Sequence, residues 1–228
     1  MRVIIPCGGN GKRWGNHTGV PKQLVTVNEE FILQRTIRLC KQFGTNDIWV
    51  ITEDPKIKNI CPSYVRLSQG IKYSYPVYID KIMCSRKLWT IISPTVILFG
   101  DTYFTEEAIQ TIICKEKEII TFYGRFHTSK LTRKDCPEIY ALKFNPSDHS
   151  LLNDHCEKVR QAIINGQPKR KIDYIKSVLS SIHNQSFDYT GCETSKYFHT
   201  IDDWTEDFDK PIDLINWQRG RRKYKLSI

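Results

Sequence analysis

The sequence predicts an α/β protein: one Rossmann-like domain built as a three-layer sandwich around a mostly parallel mixed sheet. Three observations carry this. The apolar run Val3-Ile4-Ile5 reads as a buried strand and leads straight into a glycine-rich stretch. From Phe31 to Phe43, Ile32, Leu33, Thr36, Ile37, Leu39, Cys40 and Phe43 recur at helical spacing, with Gly44 as the stop and Asp47 to Thr52 as the next strand. Strand, loop, helix and strand make a βαβ unit, which implies a parallel pair. Finally, Val96 to Phe99, after Thr95, is apolar throughout, as a strand covered on both faces must be, and it ends in Gly100-Asp101.

Composition narrows the classes. The 228 residues suffice for one large or two small domains, and 40% hydrophobic with 26% charged residues is ordinary for a globular chain. The formal net charge of +9 is not, and fits a protein that attracts nucleotides, sugar phosphates or nucleic acid. Part of the excess lies between Arg219 and Lys225. The eight cysteines are dispersed, with no C-x-x-C pair and no zinc spacing, so they read as small buried hydrophobes of a reducing cytosol, Cys40 and Cys114 among them. No signal-peptide pattern and no run of membrane-spanning length is present, and the expectation is a complete cytoplasmic protein.

The stretch from Pro6 to Leu24, PCGGNGKRWGNHTGVPKQL, organises the rest. Gly8, Gly9 and Gly11 let the backbone turn sharply and bring N–H groups close to an anion. The P-loop pattern fails, because Pro6 stands where its first Gly belongs and Arg13 follows Lys12. The dinucleotide fingerprint fails as well, since Trp14 occupies the place of the last Gly.

What remains, G-G-x-G-x-R followed by Pro21-Lys22, resembles the signature of the sugar-phosphate and alditol-phosphate nucleotidyltransferases, which join an NTP to a phosphorylated acceptor. The resemblance implies a GT-A-like fold of the short cytidylyltransferase type. It assigns nucleotide binding to Pro6, Cys7, Gly8, Gly9, Gly11 and Lys12, and the charge-neutralising catalytic roles to Arg13 and Lys22. Arg gives bidentate contact and Lys a compact charge, which suits a triphosphate.

Further along, Asp54 to Tyr78 reads mostly as loop with a strand at Tyr64 to Leu67. Gln69 and Gly70 fall where related enzymes carry a second glycine segment near the base. Tyr78 to Ile92 is expected to be helical, with Asp80 and Lys81 assigned to its solvated surface in preference to facing the nucleotide. The resemblance makes Asp101 a Mg²⁺ ligand, while Thr105 caps the following helix. Strands are expected at Glu118 to Tyr123 and Glu138 to Phe144, and the cationic linker between them offers Arg125 and Arg133 to the acceptor. Helices at His155 to Ile164 and Lys171 to Ile182 follow. The ending Asp207-x-Asp209-x-Pro211-x-Asp213 resembles the family's D-x-D-x-P-x-D, where the second aspartate completes the metal site and Pro starts a closing helix. That names Asp209 as the second ligand and Asp207 as its rival. No histidine is assigned as a base.

The expectation is thus one domain over 1–228: 1–105 mainly nucleotide-binding, 106–218 for the acceptor and closing segment, and 219–228 a basic tail. It takes an NTP, with CTP favoured by length, and a phosphorylated small molecule, with Mg²⁺ as cofactor and pyrophosphate as product. A homodimer is compatible with this reading; a membrane or nucleic-acid partner is not expected. Two other classes stand beside it. A glycosyltransferase using a nucleotide sugar should carry D-x-D after the central strand, where this chain has Gly100-Asp101-Thr102-Tyr103. A nucleic-acid-binding module would use the basic tail.

Overall fold

The computed structural model describes residues 1–8, 14–15, 19–69, 81–166 and 173–223. In chain order the strands are β1 (Arg2–Pro6), β2 (Thr26–Val27), β3 (Glu30–Phe31), β4 (Asp47–Ile51), β5 (Arg66–Ser68), β6 (Thr95–Leu98), β7 (Thr102–Tyr103), β8 (Thr121–Arg125), β9 (Glu138–Phe144), β10 (Phe198–Thr200) and β11 (Glu206–Asp207). The helices are α1 (Ile32–Gln42), α2 (Pro55–Ile60), α3 (Glu106–Cys114), α4 (His149–Ile164), α5 (Tyr174–Asn184) and α6 (Pro211–Lys223).

Seven strands form one sheet in the order β10-β8-β9-β6-β1-β4-β5. Only β9 runs against its neighbours β6 and β8; the other pairings are parallel. Successive side chains on a strand point to opposite faces, so each buried strand feeds two cores. Val3, Ile5, Val96 and Leu98 meet Leu33 and Ile37 of α1 and Ile109 and Ile112 of α3. Ile97, Phe99, Phe122 and Leu142 meet Leu152 and Val159 of α4 and Val178 and Leu179 of α5. The mixed three-layer arrangement expected from the sequence is the observed one.

Local chemistry explains most boundaries. Thr105 caps α3, its hydroxyl accepting from the Ala108 amide at 3.0 Å. The α2 turn was expected as loop, yet Asp54 accepts from the Lys56 amide at 2.8 Å with Pro55 in the first turn, a capping signal present in the sequence. Strand β5 lies a residue or two later than expected, and β10 was not foreseen. Helix α4 starts at His149, earlier than expected, after an Asn145/Asp148 capping box.

The helix expected over Tyr78 to Ile92 is, among its described residues, a short 3₁₀ turn at Met83–Leu88. The Leu88 carbonyl accepts from the Arg2 guanidinium at 2.8 Å, which turns it out of the helical ladder. Helix α6 runs into the basic stretch, so Arg219 to Lys223 are helical, where cations favour the C-terminal dipole. All eight cysteines are free, but Cys114 and Cys136 are exposed rather than buried. Among the described residues no helix is long and apolar enough to cross a membrane.

Candidate active site

The site gathers at the carboxyl ends of β1 and β6, adjacent parallel strands, the edge at which open α/β sheets hold ligands in a crevice. After β1, Cys7 is buried in the core and Gly8 is exposed, with nothing within 4 Å of where its side chain would stand. Gly9, Gly11, Lys12 and Arg13, and likewise Gly70 and Asp80, lie outside the described residues. Gln69 is exposed just after β5, at the same sheet edge. After β6, Gly100 lets the chain press against β1: a Cβ there would stand 2.5 Å from Cys7 Sγ and 3.1 Å from the Pro6 carbonyl oxygen. The close approach delivers Asp101 into the crevice mouth, 3% exposed.

Asp101 is held by two lysines. Lys81 Nζ donates to both carboxylate oxygens, at 2.8 and 3.0 Å, and Lys22 Nζ forms an ion pair with Oδ2. Lys81 is therefore a site residue, not a solvated one as expected. Lys22 stands at the start of a 3₁₀ turn, Lys22–Leu24, preset by the extended backbone of Pro21. Its ammonium also lies 3.9 Å from Asp207 and 3.7 Å from Asp209. Burial alone would raise the Asp101 pKa, but Lys81 and Lys22 outweigh it and hold the carboxyl well below the usual range. For Lys22, burial is likewise outweighed, chiefly by Asp101 and Asp207, and its pKa is raised.

The second acidic group arrives from the far end of the chain. Strand β11 pairs antiparallel with β7, setting Asp207 opposite Thr102 and Glu206 opposite Tyr103. Trp14 shares an apolar cluster with Tyr103, Phe208 and Trp217, so this residue and the acidic ending are packed together. Burial, then repulsion from Asp101, pushes the Asp207 carboxyl up to about 8. Its buried Oδ1 has no hydrogen-bond partner among the described residues. Glu138, at the start of β9, joins Asp207 and Asp209: one ligand atom from each lies within 4.8 Å of the others. Burial raises the Glu138 pKa too, against Lys176 and Lys134.

Three carboxylates with an unsatisfied buried oxygen suit a hard cation that takes oxygen ligands. The expected pair was Asp101 and Asp209. The structure brings both to Lys22 and adds Asp207 and Glu138 on the side of Asp209. Glu138 carried no sequence signal beyond being an acid on a strand.

The two arginines offered to the acceptor differ in their surroundings. Arg125 is 2% exposed and bonds inward: Nη2 to Glu206 Oε1 at 3.1 Å, Nε to the Tyr140 hydroxyl at 3.2 Å and Nη1 to the His127 carbonyl. Glu206 also accepts from Ser129 at 2.5 Å and Thr132 at 2.9 Å. A buried charge needs such satisfaction, so Arg125 is a brace for β11. Arg133 is exposed, on the outer edge of the loop after β8. Its neighbour Lys134 turns inward instead, donating to the Asp207 carbonyl at 2.6 Å and pairing with Asp213 at 3.2 Å. Asp213 caps α6, accepting from the Asp209 and Lys210 amides at 3.0 and 2.9 Å.

Comparison with known proteins agrees with this fold. Residues 3–80 match the family described as the MobA-like NTP transferase domain. No curated protein matches the chain by sequence. Among solved structures, a protein described as a glucose-1-phosphate thymidylyltransferase from Bacillus anthracis superposes with TM-score 0.63 at 14% identity, over 100% of this chain and 96% of its own. The CTP:phosphocholine cytidylyltransferase from Streptococcus pneumoniae gives 0.58 at 16%, over 96% and 97%. A UDP-glucose pyrophosphorylase from Acinetobacter baumannii gives 0.60 at 12%, over 99% and 93%. The chain therefore has the nucleotidyltransferase fold from end to end, and its first eighty residues carry the likeness to the MobA-like NTP transferase domain.

Proposed function

We propose that this chain is a nucleotidyltransferase of the 2.7.7 class, transferring NMP from an NTP to a phosphorylated small molecule such as a sugar phosphate and releasing pyrophosphate. One observation carries the reading. The lysine of the Pro21-Lys22 pair, beside the glycine loop, meets Asp101, Asp207 and Asp209 from distant parts of the chain at one point of the crevice.

In this reading the backbone from Pro6 through Gly11, together with Lys12, wraps the nucleotide, and Gln69 and Gly70 flank the base. Lys22 and Arg13 spread positive charge over the phosphates that leave. Lys81 keeps Asp101 ionised and fixed in orientation. Glu138, Asp207 and Asp209, with Asp101 across the Lys22 ammonium, would hold Mg²⁺, which when bound supplies Lewis-acid charge near the α-phosphate. The acceptor's phosphate oxygen forms a bond to the α-phosphorus as the bond to pyrophosphate breaks. No general base is needed, since a phosphate monoester with a second pKa of about 6 is largely a dianion at neutral pH. Catalysis then rests on alignment and fixed charge.

CTP is the preferred nucleotide on grounds of chain length. The compartment is the cytoplasm, in keeping with eight free thiols, and a homodimer is compatible with the reading. The N-terminal 1–105 serve the nucleotide and 106–218 the acceptor. The test is a screen of CTP, UTP, GTP, ATP and dTTP against phosphorylated sugars, alditols and amino alcohols, read by pyrophosphate release. Pyrophosphate formed only when an acceptor is present supports the reading. Turnover of nucleotide sugars with no pyrophosphate from any pair would overturn it in favour of glycosyl transfer.

A further inference from the structure

A second feature, apart from the acidic crevice, has its own chemistry. A recess of about 360 Å³ lies between the loop after β8 and the C-terminal half of α6. That volume falls in the range of small-molecule sites. Asn216, Arg219, Gly220 and Lys223 line it from one side. Their spacing of i, i+3, i+4 and i+7 puts all four on one face of the helix. Lys130 and Arg133 line the opposite wall.

The recess is distinct from the crevice. Asp213 caps the start of α6 beside Asp209, whereas Arg219 and Lys223 come six and ten residues later, roughly 9 and 15 Å along the axis. The other basic residues nearby are differently used: Arg221 lies over the Trp204 and Trp217 rings, at 5.2 and 4.8 Å. Lys130 pairs with Asp202 at 3.2 Å, and His127 lies 3.1 Å from the same carboxylate.

Both walls are built. The loop is pinned from behind, because Ser129 and Thr132 donate to buried Glu206. Arg133 is held at φ +59°, a left-handed conformation that is strained for a long side chain. On the other wall Gly220 permits the contact: a Cβ there would meet Leu131 Cδ2 at 3.0 Å and Leu131 Cα at 3.2 Å. Helix and loop therefore touch at the floor and carry cations at the rim.

We propose that this recess is a binding site for a small phosphate-bearing anion, separate from the nucleotide crevice. Two arginines give bidentate contacts and two lysines add point charges, a set matched to phosphoryl oxygens. The limited size of this open recess suits a phosphorylated metabolite or pyrophosphate, whereas a nucleic-acid strand calls for an extended stripe.

The test is a backbone-amide NMR titration of the full chain with inorganic phosphate and, separately, pyrophosphate, at constant ionic strength with EDTA to strip divalent ions. Saturable shifts are expected at Leu131, Thr132 and Gly220. Arg219→Ala should weaken binding about tenfold, as loss of one bidentate contact does. Arg133→Gly should weaken it similarly while raising the melting temperature, since glycine relieves the positive φ. Gly220→Ala, with every cation kept, should also weaken it by wedging α6 from Leu131. Lys115→Ala, the same charge change at an exposed position elsewhere, should leave it unaltered.

Shifts that do not saturate, that are confined to Cys7, Gly8 and Lys22, or that weaken equally in Lys115→Ala would overturn the proposal. So would saturation by a single-stranded oligonucleotide when neither small anion saturates.

Discussion

Asp207 stands directly opposite Thr102 in an antiparallel ladder only two residues long, and this pairing carries the acidic ending to the mouth of the central strand beside Asp101. The Phe208 amide closes the approach on the Asp101 carbonyl at 3.5 Å. Lys22 then faces three carboxylates at once. Consequences for chemistry and stability follow from that meeting.

Removing the ammonium is the first test of it. Lys22→Ala should lower kcat/KM for pyrophosphate release by about 10²–10³ or more, as loss of a group aligned on developing charge does. It also leaves buried carboxylates under-compensated, so the metal-free variant should lose about 3–5 kcal/mol of stability. Added Mg²⁺ should restore much of it. A variant with full activity would show that Lys22 is only a counterion; thermal melts with and without Mg²⁺ read the second part.

The Asp207 carboxyl gives a pH signature. Its folded pKa of about 8 stands above the 3.8 of an ordinary aspartate, so between those values the folded state holds an extra proton. Stability from this group is full below the lower value and is lost as pH rises through about 8. Asp101 has the opposite sign: its depressed pKa contributes above the unfolded value and is lost in acid. Asp207→Asn should therefore stabilise the metal-free protein by about 1–3 kcal/mol at pH 9 and little at pH 5. Equal shifts at both pH values by denaturant melts would contradict this.

Glu138 should matter to metal and not to folding. Glu138→Gln keeps the shape but removes one of three charges around the Asp207 and Asp209 oxygens. Mn²⁺ affinity, followed by electron paramagnetic resonance, should fall roughly tenfold or more. Unchanged affinity would take Glu138 out of the ligand set.

The brace behind β11 is a buried ion pair, which makes single and double changes informative. Glu206→Gln or Arg125→Met alone strands the other charge and should cost about 3–5 kcal/mol. The double variant should cost clearly less than the sum, a coupling that urea melts of all four proteins would measure. Strict additivity would mean the pair at 3.1 Å carries no energy of its own.

Gly100→Ala tests the close approach of β6 and β1. The new methyl meets Cys7 Sγ at 2.5 Å and should cost about 1–3 kcal/mol by overpacking. Cys7→Ala in the same chain should recover part of it. Because the Pro6 carbonyl oxygen remains 3.1 Å away, recovery is expected to be incomplete.

How far the sequence could reach is clearest in the acidic ending. Of the five acids between Asp202 and Asp209 the family resemblance singled out Asp207 and Asp209, and the structure gives all five their separate tasks. Asp202 is exposed beside Lys130, and Asp203 accepts from the Thr105 hydroxyl and the Thr205 amide. Glu206 is buried on Arg125, and Asp207 and Asp209 face Lys22. The split between Glu206 and Asp207 follows from strand alternation, which sends neighbours to opposite faces. It became visible only once β11 had found β7, a pairing of two residues with no periodicity of its own. For the same reason Lys81, read as a surface cation, and Arg125, read as a ligand, changed places.

The sequence by itself determined the βαβ opening, the apolar strand ending at Asp101, the Thr105 cap and the Pro-started α6, because turn chemistry, capping and hydrophobic period act over a few residues. Only the tertiary structure decided which charges meet, bringing Lys22, Lys81, Asp101, Glu138, Asp207 and Asp209 to one crevice. An ion pair between residues nearly two hundred positions apart leaves no local mark. It exists because burying the sheet's two faces fixes where the strand ends stand.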